Sequence, residues 1–169
     1  PGEKYKNIRH NVGFEIIDKI KKDWSFPEFV FYKKFNAEIS ESNYKIKTSN
    51  YKLILVKPQT FMNNSGQAVQ TIMDFYKLTA EDILVIHDDL DIDLGEFKIA
   101  TNSRSAGHRG VQDIIDKIGT QKFKRIRIGI GRNENMPSEN YVLQRFTPEE
   151  KEKIGKISEK ILEAIQKLL

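Results

Sequence analysis

Strand-like and helix-like segments alternate along the whole chain, and this alternation limits the fold more than any other feature of the sequence. Apolar residues recur at helical spacing over residues 7–22 and 107–119. Residues 51–56 and 83–86 are instead short apolar runs typical of strands. Further strands are predicted at 35–40, 44–48, 96–101 and 124–130, and further helices after residue 64 and at 147–168. Alternation without segregation predicts a single-domain α/β fold over residues 1–169, with helices on both faces of a mixed, mostly parallel twisted sheet.

Local signals mark several helix ends. Thr147 and Glu150 form a capping box with proline at the first helical position, which predicts the start of the C-terminal amphipathic helix at 147–168. Asn64 or Ser65 is predicted to cap the helix that follows them. Gly119 is predicted to end the helix over 107–119.

The composition fits a globular chain and leaves two interpretations of its charge open. The 169 residues suffice for one core, and no apolar run approaches the roughly 18 residues that a membrane helix needs. Cysteine is absent, which excludes disulfides and thiolate metal sites, and no signal-peptide pattern opens the chain; both fit a cytoplasmic protein. The net charge of +4 fits either an RNA partner or a lysine-rich solvated surface.

The loop at residues 58–66 follows a predicted strand and precedes a predicted helix, a position where binding groups often lie on a rigid scaffold. Its side chains are mainly apolar or amide, and neither Asn63 nor Asn64 can ionise. The loop alone therefore carries out no acid–base chemistry. It needs titratable partners elsewhere, for which the sequence offers His10 and Asp88.

Each of the three histidines has two interpretations. His10 lies in the first turns of a predicted helix and is either a partly buried residue satisfied by the backbone or a proton acceptor near neutral pH. His108 begins a helix between two glycines, where free N–H groups favour an anion such as phosphate, or where the histidine simply caps the helix. His87 precedes Asp88 on a strand, so its side chain points to the opposite face and is predicted to be structural.

Asp88 lies at the carboxyl end of a predicted buried strand, where α/β sheets often place functional groups. Asp89, Asp91 and Asp93 follow it closely. The run is either a metal-binding loop, a solvated turn, or the source of an aspartate that orients a histidine, and spacing does not choose among these. The chain has no P-loop, G-x-G-x-x-G or G-x-S-x-G motif, which disfavours a serine-nucleophile hydrolase.

Four motifs occur in order along the chain. They are Arg9-His10-Asn11-x-Gly13, Pro58-x-Thr60-Phe61-Met62-Asn63-x-Ser65-Gly66, His87-Asp88-Asp89-Leu90-Asp91 and Ser105-Ala106-Gly107-His108-x-Gly110. Together they resemble bacterial peptidyl-tRNA hydrolase, and the resemblance covers nearly the whole chain. It implies an α/β/α domain that hydrolyses the ester between a peptide and the 3′ end of tRNA, and so recycles tRNA from stalled translation. It also implies no metal or cofactor, no membrane, and a monomeric cytoplasmic protein.

The resemblance also assigns roles to individual residues. His10 is the general base that takes a proton from water, Asp88 orients its imidazole, and Asn63 binds the substrate or the oxyanion. The residues predicted to contact the substrate or the tRNA acceptor stem are Tyr5, Phe61, Met62, His108, Arg109, Lys98 and Arg127. Further basic candidates nearby are Arg104, Lys124 and Arg125.

The chain departs from the family pattern at two places. The family begins with an apolar strand of the sheet that ends in G-L-x-N-P-G, and only Pro1-Gly2 corresponds to it here. We therefore expect that this strand, and with it an asparagine that contributes to recognising the peptide, is missing from the sequence. The second departure is Arg109, which replaces a family asparagine and either grips a phosphate or points to solvent.

Two other functions compete with the hydrolase. One is an RNA-binding protein on the same scaffold that does not hydrolyse, and the other is a hydrolase of a small ester. The presence of His10, Asn63 and Asp88 together favours the enzyme, since a protein that only binds RNA needs none of them in register.

Overall fold

The computed structural model describes residues 1–46 and 49–169, in which strands and helices alternate along the chain. The strands are β1 (Val30–Tyr32), β2 (Ala37–Ile46), β3 (Ser49–Pro58), β4 (Leu84–Asp89), β5 (Phe97–Thr101) and β6 (Lys124–Gly129). The helices are α1 (Val12–Asp23), α2 (Ser65–Tyr76), α3 (Arg109–Ile118), α4 (Ser138–Tyr141) and α5 (Pro148–Leu168). Short 3₁₀ turns lie at Glu3–Tyr5, Arg9–Asn11, Met62–Asn64 and Ala80–Asp82.

Most predicted segments correspond to observed elements, with differences at their ends. The predicted strands at 35–40 and 44–48 belong to the single strand β2, and residues 47–48 lie outside the described residues. The predicted helix at 7–22 is α-helical only from Val12, because a 3₁₀ turn precedes it. Strand β1 was not predicted, since its three side chains are all exposed and show no apolar alternation.

Two of the three predicted helix ends are confirmed. Thr147 and Glu150 form the reciprocal capping box, and Gly119 ends α3 in the left-handed conformation. The prediction for α2 was wrong, because the Asn64 side chain makes no cap bond and the Ser65 hydroxyl donates back to a carbonyl. The carboxylate of Asp113 on α3 accepts from the first turn of α2 instead, which the local sequence of α2 does not reveal.

The named strands form two three-stranded sheets, in the orders β1-β2-β3 and β4-β6-β5. β4 and β6 pair in parallel, whereas β1–β2, β2–β3 and β5–β6 pair antiparallel. Strands of both orientations were predicted, but the expectation of mostly parallel pairing was wrong. Short connections favour the antiparallel pairing of β1 with β2 and of β2 with β3. β5 and β6 pair antiparallel although α3 lies between them, so connection length alone does not decide orientation.

Helices cover both faces of the β4-β6-β5 sheet. The isoleucines at alternate positions of β6, Ile126 and Ile128, face the main core formed with α1 and α5. Val111 and Ile114 of α3 pack against Phe123 on the other side. A third cluster packs α2 against β2. Among the described residues, no helix combines the length and the apolar character needed to cross a membrane.

A cavity of about 610 Å³ lies between the edges of β3 and β4. Alternate residues of β3 line it, whereas consecutive residues of β4 line it, so it runs along the open edge of β4. In the described part of the chain β3 pairs only with β2, and β4 only with β6. The predicted catalytic residues lie in the lining of this cavity.

Candidate active site

His10 and Asp88 meet because α1 packs closely against β4. His10 lies in the 3₁₀ turn before α1, and Asp88 lies near the carboxyl end of β4. Gly13 is the contact point, since a Cβ at this position would stand 2.4 Å from the carbonyl oxygen of Ile86. The outcome is a hydrogen bond of 2.8 Å between His10 Nδ1 and Asp88 Oδ1.

This hydrogen bond decides which nitrogen of His10 is available to substrate. An ionised carboxylate only accepts hydrogen bonds, so the proton of a neutral His10 imidazole lies on Nδ1. Nε2 then carries the lone pair. His10 is 17% exposed in its side chain, and it lines both the cavity described above and a second cavity of about 810 Å³. His10 therefore has the tautomer and the access that a general base needs.

His108 donates to the same carboxylate oxygen as His10. It caps the N-terminus of α3, where its Nδ1 accepts from the backbone N–H of Val111 at 3.1 Å. Because a backbone N–H can only donate, the proton of a neutral His108 lies on Nε2, which is 3.0 Å from Asp88 Oδ1. The sequence predicted either an anion site or a helix cap here. His108 is a cap, and the same ring also holds Asp88.

The environment of Asp88 favours its ionised form. Burial alone would raise the pKa of this carboxyl, but its electrostatic interaction with His108 and the hydrogen bonds from both histidines lower the pKa well below its usual value. Asp88 is thus a carboxylate at neutral pH, which is the acceptor that both imidazoles require.

His87 has no direct access to this carboxylate. Its side chain is buried, and its Nδ1 donates to the backbone carbonyl of Asp88 at 2.7 Å. Burial, with a smaller effect of His108, lowers the pKa of His87 to about 3, so the ring stays neutral. Its ring lies edge-on to that of His108, with centroids 4.8 Å apart. These contacts agree with the structural role predicted for His87.

His10, Asp88 and His108 are also close enough to be considered as metal ligands, since their donor atoms lie within 4.8 Å of one another. A neutral histidine binds a metal through a nitrogen without a proton. For His108 Nε2 to do so, the proton would have to move to Nδ1, where it would oppose the N–H of Val111. Metal binding would therefore break the cap of α3, and the arrangement fits a hydrogen-bonded cluster better.

The acidic residues after Asp88 also form ion pairs. Asp89 accepts from Arg127 Nε at 2.7 Å, and Asp91 accepts from Arg132. Asp89 also accepts from the backbone N–H of Asp91, which closes the turn. These carboxylates therefore close a turn and bind two arginines. This arrangement does not support the prediction of a metal-binding loop.

Residues of the loop at 58–66 line both cavities together with His10 and His108. Asn63 is exposed and lines both cavities together with His10 and Asp88. Phe61 is 62% exposed at the rim, and Met62 packs beside the N-terminus of α3. Tyr5 also lines the first cavity. The structure thus brings the predicted amide and apolar residues to the His10–Asp88 pair.

Arg109 lies at the rim of the second cavity. Its side chain is 76% exposed and lies 3.5 Å from the carboxylate of Glu139, which is also mostly exposed. The pair joins the start of α3 to α4 beside His10. The guanidinium is thus near the site but held by no buried contact.

The basic residues differ in availability. Lys98 and Arg127 are opposite each other on β5 and β6 and share one face of the sheet. Lys98 is exposed, while Arg127 pairs with Asp89. Arg125, a looser candidate, is 1% exposed and donates to the carbonyls of residues 103 and 104, so it is unavailable for tRNA. Lys124 donates to the carbonyl of Leu168.

Two features of this site could not be predicted from the sequence. The His108–Asp88 hydrogen bond joins residues 20 positions apart, and each alternative considered for His108 was local. Arg9, buried beside His10, was not singled out at all. An arginine next to a histidine reads as a solvated charge, and only the packed structure shows its burial.

Comparisons with known proteins agree with the resemblance. The family model described as peptidyl-tRNA hydrolase matches residues 1–169. A peptidyl-tRNA hydrolase of Bacillus subtilis is 41% identical over 167 residues, covering 98% of this chain and 86% of that protein. One of Thermodesulfovibrio yellowstonii is 42% identical over 171 residues, covering 100% and 86%.

Solved structures agree as well. An Arg119Gln mutant of the peptidyl-tRNA hydrolase of Acinetobacter baumannii superposes with a TM-score of 0.90 at 30% identity, covering 99% of this chain and 83% of that one. A second structure, of a peptidyl-tRNA hydrolase with N-propanol, also gives a TM-score of 0.90, at 29% identity and with the same coverage. The predicted single-domain α/β fold with a mixed sheet is therefore confirmed.

Proposed function

Because the chain belongs to the peptidyl-tRNA hydrolase family, we propose that it hydrolyses the ester between a peptide and the 3′ ribose of tRNA, and so recycles tRNA from stalled translation. The observation that carries this proposal is the hydrogen bond of 2.8 Å from His10 Nδ1 to the buried carboxylate of Asp88. It leaves Nε2 of His10 as a proton acceptor at a cavity that Asn63 also lines.

The proposed first step is the attack of water on the ester carbonyl carbon. His10 Nε2 takes a proton from that water as the new C–O bond forms, and the carbonyl oxygen becomes an oxyanion. When the intermediate collapses, the bond to the ribose 3′ oxygen breaks, and the His10 imidazolium returns its proton to that oxygen. The products are the peptide acid and free tRNA, and no group besides water is consumed.

Asp88 and His108 support the positive charge that develops on His10. Asp88 keeps the proton of the neutral imidazole on Nδ1 and stabilises the imidazolium once Nε2 is protonated. His108 donates to the same oxygen from a ring whose tautomer is fixed by Val111. In this proposal His108 acts through Asp88, which differs from the substrate contact predicted for it.

Asn63 is the proposed donor to the oxyanion or to the attacking water. Its amide N–H₂ group can donate a hydrogen bond, and Asn63 lines both cavities together with His10. Phe61, Met62 and Tyr5 supply an apolar wall for the terminal adenosine and the peptide. Base–aromatic stacking of the kind that Phe61 offers contributes roughly 1–3 kcal/mol per base in other proteins.

The proposed tRNA contacts outside the cavity are basic. Lys98 and Arg127 would meet phosphates of the acceptor stem, and Arg109 would lie near the 3′ end. We further propose that the protein acts in the cytoplasm as a monomer.

The deciding experiment is release of peptide from a defined N-blocked aminoacyl-tRNA, with the unblocked aminoacyl-tRNA as the control substrate. The proposal predicts rapid release from the blocked substrate and little from the control. Binding of both tRNAs is measured in parallel by filter retention. Binding without release would favour the RNA-binding alternative, and release of small esters at the same rate would favour a general esterase.

A further inference from the structure

Arg9, the residue before His10, is buried although it carries a permanent charge. Its Nη2 donates to both carboxylate oxygens of Glu150, at 2.9 and 2.7 Å. The guanidinium carbon lies 4.4 Å from the ring centre of Tyr141 and 4.9 Å from that of Phe146. Arg9 therefore joins the turn before α1 to the end of α4 and the first turn of α5.

This ion pair is poorly explained as a source of stability. Arg9 Nε and Nη1 are buried, and neither makes a hydrogen bond within the described part of the chain. Buried donors without partners are costly, and replacing a buried ion pair by neutral groups of similar volume is often neutral or stabilising. The arrangement therefore suggests that Arg9 fixes a position.

The position that Arg9 fixes is that of His10. The backbone N–H of Arg9 donates to the carbonyl of Gln144, and the backbone N–H of His10 donates to the carbonyl of Val142, both at 2.9 Å. Ile8 forms an isolated bridge with Arg145. The backbone of this turn and the side chain of Arg9 thus both contact the same segment, residues 141–150.

We propose that Arg9 is a positioning residue, which through Glu150 and the two rings holds His10 in register with Asp88. The proposal rests on the proposed role of His10 as general base. A displacement of about 1 Å in a catalytic group can cost on the order of a hundredfold in rate. Arg9 itself lines neither of the two cavities, so its loss should change kcat and leave KM nearly unchanged.

The test is the double variant Arg9→Met with Glu150→Gln, which removes both charges together. Methionine keeps an unbranched apolar chain between the rings, and glutamine preserves the capping box with Thr147. We expect the midpoint of urea unfolding to stay at or above that of the wild type. We expect kcat to fall by about tenfold to a hundredfold, with KM within about twofold. Arg9→Lys should restore part of the lost kcat.

A control ion pair joins α1 itself to α5. Lys19 of α1 pairs with Glu159 of α5 at 2.6 Å, so it also joins this region to α5, but away from His10. Lys19→Met with Glu159→Gln should leave kcat unchanged. An equal fall of kcat in both double variants would mean that any α1–α5 link matters, and would overturn the specific role of Arg9.

A second readout does not depend on turnover. The proton on His10 Nδ1 gives an NMR signal that is assigned by its absence from the spectrum of His10→Ala. This proton should exchange with solvent faster in the double variant than in the wild type. Unchanged exchange and unchanged kcat in a folded double variant would overturn the proposal. If that variant does not fold, Arg9→Met alone removes the guanidinium from between the rings and leaves Glu150 in its capping box, and unchanged kcat in that folded variant would have the same meaning. Failure of the proposed function would instead appear as a wild type that releases no peptide.

Discussion

The cluster of His10, Asp88 and His108 and the pair of Lys98 and Arg127 use charge in opposite settings. In the cluster the carboxylate is 3% exposed, and both histidines donate to one of its oxygens. In the pair Lys98 of β5 is exposed, and only Arg127 is held by a carboxylate. One region is built from fixed hydrogen bonds, and the other from side chains that solvent reaches.

The difference predicts which kinetic constant each region controls. Buried charges are weakly screened and act over fixed distances, so the cluster should set the rate of the chemical step. Exposed cations are screened by salt and contribute through phosphates, so the pair should set the affinity for tRNA. Substitutions in the two regions should therefore separate into effects on kcat and effects on KM.

The largest effect is expected from His10→Ala. Loss of a well-placed general base typically lowers the rate by about 10²–10⁴-fold. The affinity for tRNA should be unchanged, because in the proposed mechanism His10 meets water and not phosphate. Single-turnover release of peptide and filter binding of the same tRNA measure the two quantities. A variant that turns over at near the wild-type rate would remove His10 from the mechanism.

Gly13→Ala should disturb the cluster without altering any of its side chains. The new Cβ would stand 2.4 Å from the carbonyl oxygen of Ile86, a backbone atom that cannot move aside alone. Helix α1 must then shift from β4, which should cost about 1–3 kcal/mol of unfolding free energy and also lower kcat. Gly155→Ala is the control, since a Cβ there meets no atom within 4 Å. That control should stabilise α5 slightly in urea unfolding, and a Gly13→Ala protein as stable as wild type would contradict the close approach.

His87 should make the free energy of unfolding decrease at acid pH. Its folded pKa of about 3 lies below the ordinary value of 6.5, so the unfolded chain takes up the proton first. Stability is then lost as the pH falls below 6.5, by at most about 1.4 kcal/mol for each pH unit down to the folded pKa. His87→Gln removes this term, so its unfolding free energy should fall less than that of wild type between pH 7 and pH 5. Equal slopes would show that His87 is not held neutral.

The sequence predicted what is local in this fold and missed what is not. Residues within a few positions of each other set the capping box of Thr147 and Glu150 and the end of α3 at Gly119, so both could be predicted. The cap of α2 comes from Asp113, which is distant in sequence, and it was assigned wrongly. Strand orientation likewise depends on which strands become neighbours, and that follows from packing of the whole chain.

The candidate site shows the same division. The resemblance brought His10, Asn63 and Asp88 together, and the structure places all three at one cavity. Nothing near His108 indicated that its free nitrogen would meet Asp88, because that contact depends on where α3 lies against β4. Arg9 is a second case, since its burial depends on rings that are more than 130 residues away along the chain.

Lys98→Glu tests the exposed region. Arg127 is a poorer choice, because its replacement would leave the buried carboxylate of Asp89 unpaired. Lys98→Glu should raise KM for full-length tRNA about tenfold and lower the slope of log affinity against log salt by about one or more, with kcat unchanged. Lys160 is an exposed residue of α5, and Lys160→Glu is the control for net charge. A short acyl-adenosine substrate should be cleaved equally by all three proteins, and a matching loss in kcat would contradict the division between the regions.

Arg109 lies at the rim of the second cavity and should show the smallest effect. Its exposed pair with Glu139 is of a kind that contributes about 0–1 kcal/mol, and its guanidinium has no buried partner. Arg109→Asn should therefore raise KM by about twofold or less, through lost attraction to the 3′ end, and leave kcat unchanged. Glu139→Gln sharpens the test, because it frees Arg109 and should lower KM if the arginine meets phosphate. If neither substitution changes KM at low salt, Arg109 points to solvent and the tRNA 3′ end is held by the cavity alone.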